Sequence, residues 1–289
     1  MTLSRRDMMS MLGAIALTPS ALWSQKTSAF HLGAQTNAWP IDAKSVDSFV
    51  DVLQQIKRTG YEGFETGYFN VAQHVDDLPA LRQRIEATGL TFFGLHIAVG
   101  KDKCDEKTLL PLSSLYEQMA PVAKALNAQH WIVSSVAVKQ PSQIAGKVAG
   151  LRKAAEYADR IGLPLLYHNH WWEFADGGAE ADALLQGTQG SSVRFLFDAG
   201  HAFRAGTDVP KFLQAHSSRI AALHLRGYKD GRQVPLGNGT LPLAEIARLL
   251  RHQQWAGWLI NEEDSDGKQK LGLDVIKPAY DALHSAVTA

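Results

Sequence analysis

Histidines and acids gather where short apolar runs of this chain end. One run closes in Tyr167-His168-Asn169-His170-Trp171-Trp172-Glu173-Phe174 and another in Phe197-Asp198-Ala199-Gly200-His201. Two more close in His224-Leu225-Arg226 and Asn261-Glu262-Glu263-Asp264, and two earlier runs end at Glu65 and His96. A single histidine at such a place is most often a satisfied core residue. Six ends bearing His, Asp or Glu call for a shared cause, because buried charges need partners. A metal ion is one common partner. Carboxylate and imidazole without thiolate suit Mn²⁺, Co²⁺, Mg²⁺ or Zn²⁺. Asp198 and Glu262 would neutralise a dication, and His224 with one group from the Tyr167–Phe174 run would complete its shell. Such a cation polarises a carbonyl or hydroxyl and stabilises an enediolate. A carboxylate beside it can take the α-proton, and a second base can return it.

These residues converge only if the elements carrying them line up. After residue 30 one phrase repeats: a helical stretch, a glycine, then a β-rich run. Val46, Phe49, Val50, Leu53 and Ile56 keep a 3.6-residue period before Gly60. Leu78, Leu81 and Ile85 precede Gly89, and Ile144, Val148, Leu151, Ala155 and Ala158 precede Gly162. Glycine there supplies the left-handed conformation that ends a helix. The pattern predicts strands near 32–36, 62–65, 91–96, 130–134, 163–168, 193–198, 220–225 and 258–262, spaced by about the thirty residues of a βα unit. Eight such units predict a (β/α)8 TIM barrel, with the chemistry at the C-terminal ends of its strands. No GxGxxG follows the first strand, which argues against a dinucleotide fold. Gly227 to Leu241 reads as a long irregular loop on the catalytic face.

The chain has 289 residues, which suits one barrel of about 250 residues. Residues 1–29 read as an export signal and 30–289 as a single catalytic domain. Arg5-Arg6-Asp7 followed by the apolar run Met8 to Trp23 resembles a twin-arginine signal, which points to the periplasm or secretion. That run, broken by Gly13 and Pro19, is too short for a stable membrane span. Without residues 1–29 the 29 basic and 29 acidic residues become 26 and 28, since Arg5, Arg6, Lys26 and Asp7 are removed. A net charge of −2 lacks the basic field that nucleic acid requires. Cys104, the only cysteine, excludes an internal disulfide and a thiolate metal cluster.

From residue 30 onward the chain resembles the xylose-isomerase-like superfamily of sugar isomerases, epimerases, inosose dehydratases and AP endonucleases. The stretches Tyr167–Phe174 and Asp198–Asp208 carry the resemblance most specifically. His224, Gly237-Asn238-Gly239 and Glu262-Glu263-Asp264 follow in the expected order. The resemblance implies one divalent metal, Mn²⁺ favoured, held by Glu, Asp, His and Glu from strands five to eight. The last three map to Asp198, His224 and Glu262. The strand-five position holds His168 instead, so either His168 is the fourth ligand, the favoured reading, or Glu173 reaches the metal from the loop. Glu262 is expected to be ligand and proton-transfer base together, with His168 the other catalytic candidate. His201 resembles the superfamily's substrate-binding histidine, or else partners Asp198. Glu65, His96, His170, Glu173 and Arg226 are further substrate-binding candidates; Glu65 and His96 read equally as structural, and Arg226 as a solvated loop residue. Glu263 and Asp264 read as a solvated pair.

The function implied is isomerisation or epimerisation of a free sugar or keto-sugar, since export disfavours a phosphorylated substrate. A histidine in place of the strand-five glutamate weakens a two-carboxylate epimerase and strengthens a single-base isomerase or a lyase, the latter an inosose-type dehydratase or a 3-keto-glycoside eliminase. An AP endonuclease would need more metal-binding histidines and a basic groove. A non-catalytic sugar-binding barrel would not need Asp198, His224 and Glu262 together. A small carbohydrate is the expected partner, and a homo-oligomer is left open.

Overall fold

The computed structural model describes residues 30–98, 100–264 and 272–289; the expected export signal lies outside them. Eight parallel strands close into a barrel: β1 (Phe30–Gln35), β2 (Gly63–Gly67), β3 (Thr91–Ile97), β4 (His130–Ser134), β5 (Leu165–His168), β6 (Arg194–Asp198), β7 (Ile220–Leu225) and, after a short hairpin of β8 (Gly227–Lys229) and β9 (Arg232–Val234), β10 (Gly257–Asn261). Their order around the barrel is β1-β10-β7-β6-β5-β4-β3-β2, with β1 also pairing to β2. The TIM-barrel expectation is met.

The repeated phrase has its physical counterpart. The helix Val46–Thr59 starts on the Ser45 side chain, which accepts from Ser48 N, and buries Phe49, Val50, Leu53 and Ile56. It stops at Gly60, whose φ of 118° suits a residue without Cβ. Helix Ser142–Ile161 ends the same way at Gly162. Besides β1, which begins at Phe30 rather than near 32, three readings depart from expectation. β5 starts at Leu165 rather than 163, as Pro164 has no N–H to give the ladder. β2 runs on to Gly67, so Glu65 lies inside the strand and not at its end. The segment from Gly227 to Leu241 is not wholly irregular: β8 and β9 pair antiparallel across Asp230-Gly231. Both of those residues have positive φ, 51° and 72°, as a two-residue hairpin turn demands.

Two apolar layers hold the barrel. The larger one fills the space between strands and helices. The smaller one plugs the interior with Phe93, Ile132, Leu166, Leu196, Ala222, Trp258 and Ile260. Strand side chains alternate faces with period two, so the next inward residue lies two positions on. Two residues past Ile132, Leu166, Leu196, Ala222 and Ile260 stand Ser134, His168, Asp198, His224 and Glu262, all buried. The plug therefore forms the floor of a polar layer at the C-terminal ends of the strands. No helix among the described residues is long and apolar enough to cross a membrane.

Candidate active site

His168, Asp198, His224 and Glu262 each place one ligand-type atom so that all four atoms lie within 4.8 Å of one another. Backbone geometry divides the labour of Asp198. Its Oδ1 accepts from His201 N at 2.7 Å, capping the helix Ala199–Arg204, which leaves Oδ2 for the cluster. Asn169 clamps the Asp198 backbone from the neighbouring strand, its Nδ2 donating to Asp198 O at 3.1 Å and its Oδ1 accepting from Asp198 N at 2.9 Å. Sequence reading passed over Asn169, although it sits inside the His168-Asn169-His170 motif.

Buried atoms of this cluster lack hydrogen-bond partners: both ring nitrogens of His168, of which Nε2 faces the carboxylates, with Asp198 Oδ2, His224 Nδ1 and Glu262 Oε2. They are not without charged neighbours. Arg226 Nη2 lies 2.8 Å from Asp198 Oδ2 and contacts Glu262 Oε2, and His224 Nδ1 contacts the same Glu262 oxygen, in ion pairs that lack hydrogen-bond geometry. Buried donor atoms of two carboxylates and two imidazoles, left without hydrogen bonds and turned toward one point, are what a divalent cation requires. The donor set fits a metal.

Burial alone would raise the pKa of the Asp198 carboxyl, but Arg226, His201 and His168 outweigh it and hold that pKa well below the carboxylate range. Burial and then Arg226 and His224 act likewise on Glu262, which is also held ionised. For Glu65, burial is outweighed by His224 and His96, which leave it at about 2. His224 shows the reverse balance: burial opposes its cation, while Glu65 and Glu262 raise it to about 10. Burial drives His201 down to about 3, so it is neutral.

The structure encloses some of the other candidates away from the cluster and leaves others beside it. Glu173 does not approach the cluster. Its Oε1 accepts from Tyr167 Oη at 2.6 Å and Ser135 Oγ at 3.1 Å, and its Oε2 from His170 N at 2.8 Å. The fully buried ammonium of Lys147, 3.5 Å away, completes its surroundings, which leaves no edge for a ligand or substrate. Glu65 and His96 are also enclosed. Glu65 spans from His224 Nε2 at 2.6 Å to His96 Nδ1 at 3.0 Å, and His96 Nε2 meets Ser134 Oγ at 2.8 Å. Substrate hydroxyls find no open atom on either residue.

Arg226 is buried, not a solvated loop residue, and also contacts Asp264 through Nη1. Its stem passes over Gly200, where a Cβ would come within 2.2 Å of Arg226 Cγ. Of the histidines, His170 stacks on Trp172 at 4.2 Å and His201 Nδ1 lies 3.3 Å from Tyr228 Oη. Both stay beside the cluster, with their rings 5.1 Å and 6.2 Å from that of His168. Trp171 is partly exposed at the rim, with the Arg204 guanidinium 5.0 Å over its ring.

Glu263 and Asp264 are not a solvated pair. Asp264 accepts from Asn37 Nδ2 at 2.9 Å and holds Arg226. Glu263 is buried, and its Oε1 accepts from Leu236 N at 2.8 Å and Asn261 Nδ2 at 3.0 Å. Burial pushes its pKa up to about 7. The folded state thus keeps a proton that the unfolded chain loses near pH 4.3, and stability falls as pH climbs from there toward 7. Glu263→Gln is expected to flatten that decline in melting temperature between pH 5 and 8. A variant that melts with the parent's full pH slope would refute the assignment.

The family model described as a xylose isomerase-like TIM barrel matches residues 53–280. Inosose dehydratase of Bacillus velezensis is 24% identical over 246 residues, 74% of this chain and 81% of the relative. That of Geobacillus kaustophilus is 24% identical over 249 residues, 74% and 80% respectively. Among solved structures, an L-ribulose 3-epimerase superposes with a TM-score of 0.72 at 18% identity, covering 89% of this chain and 94% of that one. A 3-keto-D-glucoside 4-epimerase from E. coli gives 0.67 at 15%, covering 90% and 100%. At those identities the structural likeness speaks for the fold.

Proposed function

Because the chain belongs to the xylose isomerase-like TIM-barrel family, we propose that it isomerises or epimerises a free sugar or keto-sugar through an enediolate, with one divalent metal, Mn²⁺ favoured. The observation that carries this reading is the convergence of His168, Asp198, His224 and Glu262 on one point at the C-terminal ends of the strands. Those four residues would hold the ion. When bound, it supplies a Lewis acid that polarises the substrate carbonyl and acidifies the adjacent C–H.

The chain's own groups do the rest. Glu262, held ionised, takes the α-proton and returns it to the neighbouring carbon, whereas inversion at one carbon needs a second base on the other face. His170, His201 and Arg226 border the cluster and would orient hydroxyls. The plug beneath closes the site to water from below. Export, proposed from Arg5-Arg6, favours an unphosphorylated substrate.

A second reading is a lyase that removes water β to a carbonyl. One observation favours it: the strand-five position in the cluster is an imidazole, so Glu262 has no matching carboxylate base there. The curated relatives, named as dehydratases, lean the same way.

The deciding experiment incubates Mn²⁺-loaded protein with a panel of free keto-sugars in D₂O. Deuterium incorporation without loss of water supports the isomerase or epimerase, and an unsaturated product supports the lyase. Neither change across the panel would remove the proposal. The metal itself is checked by melting. Mn²⁺ at about 100 times its Kd is expected to stabilise the fold by about 2.7 kcal/mol. Asp198→Asn, which keeps the helix-capping oxygen but loses the charge, should shrink that shift; an undiminished shift would place the ion elsewhere.

A further inference from the structure

We infer that Glu65 is a positioning residue that fixes which ring nitrogen His224 turns toward the metal cluster, and that His96 and Ser134 hold Glu65 for that task. The inference rests on His224 being a ligand, as proposed above.

β2 and β7 are not neighbours, since β1 and β10 stand between them in the barrel. The contact between Glu65 Oε2 and His224 Nε2, at 2.6 Å, therefore crosses the interior. Glu65 has no solvent exposure. A register shift between Phe64 and Glu65 in the β2–β3 pairing accompanies the crossing, the kind of irregularity that re-aims a side chain beside a site.

An ionised carboxylate only accepts hydrogen bonds. Each imidazole nitrogen facing Glu65 must therefore carry a proton: Nε2 of His224 and Nδ1 of His96. His96 Nε2 is then an acceptor and receives the hydrogen bond that Ser134 Oγ donates at 2.8 Å. Every donor in the chain Ser134–His96–Glu65–His224 has an acceptor, with one consistent polarity. The consequence falls on the far side of the His224 ring. With Nε2–H committed to Glu65, the nitrogen that gives up its proton to bind an ion is Nδ1, the atom that contacts Glu262 Oε2. A carboxylate on the non-ligating nitrogen fixes tautomer and ring orientation and strengthens the ligand, and losing such a partner typically costs 10–100-fold in metal affinity.

The test uses the full chain. Mn²⁺ affinity by calorimetry should fall about 10–100-fold in Glu65→Met, which keeps the volume but removes the acceptor. It should fall less in Glu65→Gln, whose amide oxygen can still accept. A merely structural residue would lower the melting temperature and leave the affinity of the folded variant unchanged, and that result overturns the inference. Should neither variant fold, ¹⁵N-histidine NMR of the Zn²⁺-loaded parent protein decides: His224 must be bound through Nδ1 with a proton on Nε2. Binding through Nε2 overturns the proposal for Glu65 alone. A parent protein that binds neither Mn²⁺ nor Zn²⁺ overturns the metal centre along with it.

Discussion

Replacing Glu262 by glutamine is expected to lower kcat at least about 100-fold, the low end for a positioned base, on whichever sugar exchanges deuterium with the parent enzyme. The substitution keeps size and one oxygen donor but removes the basicity. The environment makes the charge the point of the residue. Glu262 Oε1 accepts from Asn37 Nδ2 at 3.1 Å, while Oε2 faces His224, Arg226 and, at 3.6 Å, His168. Three positively polarised neighbours keep the carboxylate ionised, the form a base needs to take a proton from the C–H beside a carbonyl. Mn²⁺ binding should be partly retained, since three other candidate ligands remain. Glu263→Gln should leave kcat essentially unchanged, because that side chain is turned to Leu236 and Asn261. If Glu263→Gln abolishes exchange and Glu262→Gln does not, the base has been misassigned. If neither matters, proton transfer belongs to His168.

The largest stability effect is expected at Lys147, a residue to which the sequence drew no attention. Its ammonium is fully buried among carboxylates, in contact with Glu180 and 3.5 Å from Glu173. Lys147→Met fills the same space and leaves both acids unpaired. Breaking a buried ion pair from one side costs about 3–5 kcal/mol, which in a domain of this size corresponds to about 6–20 °C in melting temperature. Burial already raises the pKa of Glu180 against the pull of Lys147. Without the lysine that pKa climbs further, so the deficit should be widest above neutral pH and shrink in acid. Adding Glu173→Gln and Glu180→Gln to Lys147→Met should recover much of the loss. A single variant that melts with the parent would mean that water or a proton already neutralises the acids. Because Glu173 also accepts from His170 N, the loop carrying His170 should loosen with the fold.

The barrel was legible in the sequence because its signals are local. Helical periodicity ending at Gly60 or Gly162 is written in consecutive residues, and so is the apolar run that each strand must be. The acids and histidines just past those runs could be paired with strand ends by the same reasoning. Convergence of His168, Asp198, His224 and Glu262 followed from one topological premise: parallel strands in a closed sheet bring their C-terminal ends together.

What depends on partners from distant strands was decided only by the tertiary structure. Glu65 reads as a strand-end acid, yet β2 continues past it and its carboxylate crosses the barrel to His224. Glu173 and His168 compete in the sequence for one place, His168 as the last residue of β5 and Glu173 in the turn just after it. Period two turns His168 inward onto the cluster, whereas the turn after β5 folds Glu173 back onto Tyr167, Ser135 and Lys147. Glu262 and Glu263 are chemically identical neighbours in sequence, and only the alternation of faces at the end of β10 gives one to the cluster and the other to Asn261. Sequence fixes the chemistry each side chain can perform. Which groups share a buried, poorly solvated volume, and hence which charges must answer one another, is set by the closure of the barrel, because electrostatic partnership depends on distance in space and not along the chain.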